Sequence, residues 1–342
     1  MTDEILFERR GAAGLITLNR PAALNALTHG MVLAMREKLE AWATDPDVAA
    51  IVVRGAGERA FCAGGDIRAI ASSGSAGTAY ARDFWRDEYI LNAMIKHYPK
   101  PYVALIHGIV MGGGVGVSVH GQYRVASETT LFAMPETGIG FFPDVGGSYF
   151  LPRCPGEIGM YLALTGARLK VDDTRYVGFA THMAPQTGWD NFIGAFAEGA
   201  APDDVLAQYA AKSSAPLSEF RAVIDKTFAA GSVEAILAGL DAESGEWPRE
   251  TAATIRSKSP TSLKLTFRQM RAGKALSFDD CMRMEYRMSS RILAGTDFAE
   301  GVRAVIVDKD NAPKWNPATL AEVTDDAIAA YFEPLGEMEL ML

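Results

Sequence analysis

The chain has 342 residues, of which 49% are hydrophobic and 22% are charged, and its formal net charge is −9. This composition is typical of a globular protein with a substantial core, and an acidic chain without a run of Lys and Arg argues against nucleic-acid binding. The most apolar stretch, VALIHGIVMGGGVGVSV, contains a histidine and five glycines, which argues against a membrane span.

The first 120 residues predict a repeated order of strands and helices. Residues 5–18, ILFERRGAAGLITL, predict two short strands around a glycine turn, and HGMVLAMREKLEAWATD predicts an amphipathic helix. The apolar segment VAAIVVRGAG then predicts a buried strand, which is followed by the glycine-rich loop FCAGGDIRAI. After a second helix, YVALIHGIVMGGG repeats this order of apolar strand and glycines. A buried strand therefore leads into a glycine loop twice.

The second half of the chain is richer in helical patterns. Periodic apolar residues in SPTSLKLTFRQMRAGK and FDDCMRMEYRMSSRILAG predict two helices there. We place a domain boundary near residue 200. The predicted first domain, residues 1–200, carries the glycine loops, and the predicted second domain, residues 201–342, is mostly helical.

The segment MPETGIGFFPDVGGSYF, residues 134–150, places two carboxylates, Glu136 and Asp144, among glycines, prolines and apolar side chains. Its glycines and prolines argue against a regular helix and predict a structured loop. A carboxyl group among apolar side chains has a raised pKa, which suits an acid, a base or a nucleophile near neutral pH. The residues alone also allow the two acids to cap a helix or a turn.

The two glycine loops match none of the common nucleotide or nucleophile motifs. The chain contains no G-x-x-x-x-G-K-[ST], no G-x-G-x-x-G in register, and no G-x-S-x-G around Ser118. The five histidines show no paired ligand spacing, so no metal is expected. Glycine permits close approach of the backbone, so the amides of both loops are candidates for binding one oxygen, and tight turns for packing are the alternative.

Three segments together resemble the enoyl-CoA hydratase/isomerase (crotonase) superfamily: GAGERAFCAGGDIRAI, HGIVMGGGVGV and MPETGIGFFPDVGGSYFL. Within it, FWRDEYILN, SPTSLKLTFRQM and DFAEGVRAVIVDKDNAPKW are similar to the 3-hydroxyisobutyryl-CoA hydrolase branch, and the resemblance covers nearly the whole chain. It implies an α/β fold, a crotonase-like spiral of ββα units with a mostly helical C-terminal region. In that fold two glycine loops form an oxyanion hole around a CoA thioester carbonyl.

The resemblance assigns roles to individual residues. Gly65 and Gly113 match the two positions whose amides form the oxyanion hole. Glu136 matches the catalytic glutamate, and Asp144 matches the aspartate that the hydrolase branch adds. Glu88 matches a glutamate of that branch's substrate pocket, although by itself it also fits a charged helical face.

Two further segments are compared with the family. Leu24 and Asn25, in PAALNAL, match the part that contacts CoA. Enoyl-CoA hydratases use two glutamates. One matches Glu136, and the other lies twenty residues earlier in the chain; the corresponding position here, 136 − 20 = 116, is Gly116. A standard hydratase mechanism would therefore lack one of its carboxylates, whereas Asp144 is available on the other side of Glu136, as the resemblance to the hydrolase branch implies.

The activity that the resemblance implies is hydrolysis of a short 3-hydroxyacyl-CoA, foremost (S)-3-hydroxyisobutyryl-CoA in valine catabolism. The acyl-CoA is then the partner, and neither a cofactor nor a metal is implied. Two alternatives stay open: an enoyl-CoA hydratase or isomerase, and a non-catalytic acyl-CoA-binding protein. Family members often trimerise through their C-terminal helices, so a homo-oligomer is also considered.

The cysteines and the N-terminus lead to an expectation about location. Cys62, Cys154 and Cys281 are widely spaced and form no C-x-x-C, which predicts neither disulfides nor a zinc site. The N-terminal MTDEILFERR has no apolar core and contains acids. The sequence thus predicts a cytoplasmic protein.

Overall fold

The computed structural model describes residues 3–67, 74–210 and 215–342. Contacts between residues divide the chain into two compact units. Unit one comprises Met1–Asp66, Ile90–Ala133 and Arg168–Ser218, and unit two comprises Ile67–Tyr89, Met134–Ala167 and Glu219–Leu342. The domain boundary near residue 200 stays a prediction.

Unit one contains two β-sheets. Its strands are β1 (Ile5–Arg10), β2 (Ala13–Leu18), β3 (Ala50–Gly55), β4 (Ala60–Cys62), β5 (Tyr102–Ile106), β6 (Ile109–Met111), β7 (Tyr123–Ala126), β8 (Leu131–Ala133), β9 (Leu169–Lys170) and β10 (His182–Met183). The six-stranded sheet has the order β1-β2-β3-β5-β7-β10, and the four-stranded sheet has the order β4-β6-β8-β9. The pair β1–β2 is antiparallel, whereas β2, β3, β5, β7 and β10 run parallel to one another.

The helices, in chain order, are α1 (His29–Thr44), α2 (Gly74–Lys96), α3 (Gly113–Gly116), α4 (Gly147–Phe150), α5 (Ile158–Thr165), α6 (Val171–Tyr176), α7 (Trp189–Ala197), α8 (Pro202–Leu206), α9 (Arg221–Phe228), α10 (Val233–Ala242), α11 (Glu246–Arg256), α12 (Pro260–Gly273), α13 (Phe278–Ile292), α14 (Asp297–Val302) and α15 (Asp325–Ala330). Within the described ranges, no helix is long and apolar enough to cross a membrane. In the same ranges, the regular elements after residue 219 are all helical. The predicted α/β fold with a helical C-terminal region is confirmed.

The core of unit one lies on the six-stranded sheet. Val52, Val103 and Val125, on three neighbouring strands, are completely buried in one apolar cluster. Helix α7 adds Phe192 and Phe196 to that cluster. Strands of a parallel sheet are covered on both faces, which explains their continuous apolar sequences.

Two long helices of unit two begin with serine caps. The side chain of Ser259 accepts a hydrogen bond from the amide of Ser262, and Pro260 occupies the first turn of α12. Ser277 caps α13 in the same way by accepting from the amide of Asp280. A serine at this position satisfies one of the amides that lack a partner within the helix, so both predicted helices begin at their serines.

Candidate active site

The two glycine loops meet in unit one because they follow neighbouring parallel strands. Strand β4 pairs with β6 in parallel, and parallel strands end at the same edge of a sheet. Gly65 comes three residues after β4, and Gly113 comes two residues after β6. A Cβ atom placed on Gly64 would lie only 3.8 Å from the amide nitrogen of Gly113. The first loop therefore packs against the backbone of the second.

Gly113 is the first residue of the short helix α3. Amides in the first turn of a helix have no acceptor within the helix, so they are available to an external oxygen. Gly112 precedes it with a φ of 48°, which is the left-handed region that glycine tolerates best. The glycines thus provide the tight turn that an amide-based oxyanion hole requires.

Close packing of the loops leads to a testable expectation for Gly114→Ala. A Cβ atom at this position would overlap the carbonyl oxygen of Cys62 and lie 2.8 Å from its Cβ. Overpacking of this kind costs about 1–3 kcal/mol, so we expect a lower thermal midpoint together with slower turnover. Gly194→Ala is the matched control, because no atom lies within 4 Å of its new Cβ and the site is helical. Equal stability of the two variants would contradict the packing argument.

The predicted CoA segment is tied to the first glycine loop. Leu24 and Asn25 both have left-handed backbones, with φ of 52° and 57°. The carbonyl of Leu24 accepts from the amide of Ala63 at 3.0 Å. The buried side chain of Asn25 donates to the carbonyls of Ala56 and Ala60 at 2.9 and 2.8 Å. These bonds give Asn25 a role in shaping the loop, and contact of either residue with CoA stays a prediction.

The loop that carries Glu136 lies in unit two. Residues Glu136–Ile139 form a 3₁₀ turn, and the Glu136 side chain is buried. The amide of Ser259 donates to the carbonyl of Thr137 at 3.3 Å, which connects the turn to the start of α12. A Cβ on Gly140, which has a φ of 70°, would overlap the carbonyl oxygen of Asp297. The turn is therefore packed tightly on the C-terminal helices of the same unit.

Asp144 and Glu88 are buried in unit two as well. The hydroxyl of Tyr89 donates to Oδ2 of Asp144 at 2.9 Å. Glu88 is 2% exposed, and among the described residues its Oε1 atom has no hydrogen-bond partner. Oε2 of Glu136 likewise has none. Because buried polar atoms are normally paired, these two oxygens are candidates for contact with a ligand.

Burial and mutual repulsion raise the pKa values of these carboxyl groups. Burial, and then the charge of Asp144, raises the pKa of Glu88 and of Glu136 well above the usual range. Burial also raises the pKa of Asp144 to about 7, against the lowering effect of its hydrogen bond from Tyr89. Acids of this kind titrate together, and they are suited to proton transfer near neutral pH.

Unit two thus brings together Glu88, Glu136 and Asp144, and unit one brings together the glycines Gly65 and Gly113. The roles assigned to all five stay predictions. Within the part of the chain that the structure describes, no three His, Cys, Asp or Glu side chains are grouped as metal ligands. That a cofactor is not required also stays a prediction.

Sequence reasoning missed three side chains that contact this region. Tyr89 follows Glu88 directly in the sequence, but nothing local indicated its bond to Asp144. Gln269 and Glu285 come from the helices α12 and α13, and both bind the backbone beside Asp144. Only the tertiary structure reveals partners so distant in sequence.

Comparison with known proteins decides the family. A family model described as "Enoyl-CoA hydratase/isomerase" matches residues 13–332. The chain belongs to this enoyl-CoA hydratase/isomerase family. The predicted superfamily is thereby confirmed.

Individual relatives are similar over almost their full length. A protein of Xenopus tropicalis named "3-hydroxyisobutyryl-CoA hydrolase, mitochondrial" is 50% identical over 350 residues, covering 99% of this chain and 91% of the relative. The crystal structure of a carnitinyl-CoA dehydratase from Mycobacterium thermoresistibile is 47% identical with a TM-score of 0.94, covering 99% of both chains. That of an enoyl-CoA hydratase from Rhodobacter sphaeroides 2.4.1 is 39% identical with a TM-score of 0.93, covering 99% of this chain and 100% of the other.

The expectation of a cytoplasmic location is wrong by this comparison, because the Xenopus relative is named as mitochondrial. The error has a physical basis. Unpaired, widely spaced cysteines indicate a reducing environment, which does not distinguish one reducing compartment from another.

The family position of the second hydratase glutamate is occupied by Gly116. Gly116 is the last residue of α3, and it is buried. Glycine has no side chain that could hold or activate water. That Glu136 and Asp144 take over the water chemistry stays a prediction.

Proposed function

We propose that this family member hydrolyses a short 3-hydroxyacyl-CoA, with (S)-3-hydroxyisobutyryl-CoA as the main substrate, in valine catabolism. The observation that carries the proposal is the buried group of Glu88, Glu136 and Asp144, in combination with Gly116 in place of the hydratase glutamate. The name of the Xenopus relative supports the same reaction.

The proposed reaction begins at the thioester carbonyl. The amides of Gly65 and Gly113 bind its oxygen and stabilise the negative charge that develops as the carbon becomes tetrahedral. One such donor is typically worth about 3 kcal/mol. The C–S bond then breaks, and CoA leaves as its thiolate.

Glu136 promotes formation of the new C–O bond at the carbonyl carbon by one of two routes. As a nucleophile it forms an acyl-enzyme anhydride, which water then cleaves; as a general base it removes a proton from the attacking water. Both routes add the elements of water to give the 3-hydroxy acid and free CoA. Asp144 orients this water or the substrate hydroxyl in either route.

Glu88 is proposed to bind the substrate hydroxyl. Its pKa is raised well above the usual range by burial and by the charge of Asp144, which favours its protonated form. A protonated carboxyl group can donate one hydrogen bond and accept another, which suits a hydroxyl group. Its Oε1 atom, which has no partner in the described residues, is available for this contact.

A second candidate is hydration or dehydration at the acyl double bond. The crystal structures at 47% and 39% identity are titled as a carnitinyl-CoA dehydratase and an enoyl-CoA hydratase, respectively. This chemistry leaves the thioester intact, so it releases no free thiol. The two candidate functions therefore differ in their products.

The deciding experiment follows free thiol and enone absorbance in parallel. We expect rapid CoA release from 3-hydroxyisobutyryl-CoA and slower release from 3-hydroxypropionyl-CoA, because one missing methyl group changes kcat/KM only about 10–200-fold. Crotonyl-CoA is expected to keep its enone absorbance. Loss of that absorbance without thiol release would establish the hydratase function instead. Binding of every ester with no product would establish a binding protein.

A further inference from the structure

The segment Pro143–Ser148, here called the Asp144 loop, is held at both ends by the C-terminal helices of unit two. Nε2 of Gln269, on α12, donates to the carbonyl of Pro143 at 2.6 Å. On the other side, the carboxylate of Glu285, on α13, accepts from the amides of Gly146 and Ser148 at 2.8 and 2.9 Å. Glu285 also accepts from the hydroxyl of Ser148.

The backbone of the Asp144 loop needs this support. Val145, a β-branched residue, has a φ of 48°, and Gly146 follows with a φ of 89°. Left-handed backbone is unfavourable for a β-branched residue, and it persists only where the surroundings enforce it. The amides of Gly146 and Ser148 converge on one point and form a nest of the kind that binds anions. Here that point is occupied by the buried carboxyl group of Glu285, whose pKa burial raises to about 8.

The same helix also supports the side chain of Asp144. Tyr286, the residue after Glu285, packs edge to face against Tyr89, with ring centroids 6.4 Å apart. Tyr89 in turn donates to Oδ2 of Asp144. Backbone and carboxylate of Asp144 are therefore fixed by neighbouring residues of α13.

We propose that Glu285 and Gln269 are positioning residues, which hold the Asp144 carboxylate in the geometry required for thioester hydrolysis. This inference rests on the proposed function, since it presupposes that Asp144 takes part in the reaction. Neither residue contacts the substrate in this proposal. They act through the loop backbone alone.

The first test is Glu285→Gln. The amide side chain has one acceptor oxygen, and its NH₂ group opposes an amide N–H of the nest, so the loop loses its left-handed geometry. Misplacement of a reacting group by about 1 Å costs up to about 100-fold in rate. We expect kcat for CoA release from 3-hydroxyisobutyryl-CoA to fall by about 10–100-fold, with KM changed less than about threefold.

The second variant, Gln269→Met, is chosen because it is expected to fold. Methionine has a similar shape, and the change removes the bond to Pro143 together with the buried Oε1 atom, which has no partner in the described residues. We expect the same selective loss of kcat, by about tenfold. Thermal unfolding reports whether each variant is folded at the assay temperature.

Glu339→Gln is the matched control. Glu339 accepts from Arg287 of α13 at 2.8 Å and takes part in none of the hydrogen bonds to the Asp144 loop described above, so the kcat of this variant is expected to stay within about twofold of the wild type. If folded Gln269→Met and Glu285→Gln both keep the wild-type kcat while Asp144→Asn loses it, the positioning role is disproved. If Asp144→Asn itself keeps the wild-type kcat, the role of Asp144 on which the inference rests is disproved instead, whereas absence of CoA release from the wild type would disprove the proposed function. A rise in KM at constant kcat would also overturn the inference.

Discussion

Replacement of Glu136 by glutamine is expected to reduce the kcat for CoA release by about 1,000-fold. Positioned bases contribute about 10²–10⁴-fold, and an amide is neither a base nor a nucleophile at neutral pH. Glutamine has nearly the shape of glutamate, so the packed turn Glu136–Ile139 is expected to stay folded. Initial rates of thiol release, with thermal unfolding measured on the same samples, test this expectation.

The control for Glu136→Gln is the same kind of substitution at another glutamate of unit two. Glu157→Gln alters a partly exposed carboxylate that pairs with Arg271 at 2.9 Å, so the rate of this variant should match the wild type. Activity of Glu136→Gln within tenfold of the wild type would remove Glu136 from the centre of the mechanism. Loss of activity in both variants would indicate a general effect on the fold.

Asp144→Asn is expected to lower kcat by about 100-fold and to change the pH dependence of what remains. The charge of Asp144 raises the pKa of Glu136, so its removal lowers that pKa. Glu136 acts in its deprotonated form in both routes. The acid limb of the kcat/KM profile should consequently move to lower pH in the variant.

The pH dependence of kcat/KM is measured from about pH 5 to 9 with 3-hydroxyisobutyryl-CoA, for the wild type and for Asp144→Asn. Tyr89→Phe is a useful companion, because it removes the bond to Asp144 but keeps the charge. That bond lowers the pKa of Asp144, so its loss should raise this pKa further. An acid limb that is identical in wild type and Asp144→Asn would show that the two carboxyl groups do not interact.

Much of the family and several elements were predictable because their signals are local. The apolar strands that lead into glycines, the serine caps of α12 and α13, and the spacing between Glu136 and Asp144 are all contained in short segments. The meeting of the two glycine loops in unit one follows from the parallel pairing of β4 and β6, which the sequence did not predict. The expectation of loop structure over residues 134–150 was incomplete in one respect: Gly147–Phe150 form a helical turn.

The reason for that turn, and for the raised pKa values of Glu136 and Asp144, lies in the tertiary structure. The amide of Gly146 is bound by Glu285, 139 positions later in the chain, so the cap of α4 has no local sequence signal. The same is true of Gln269, which binds Pro143 across 126 positions. The sequence by itself determined which acids are present and which family they match. Burial and long-range contacts decided their pKa values and the geometry of the Asp144 loop, because desolvation and hydrogen bonding depend on which distant segments fold together.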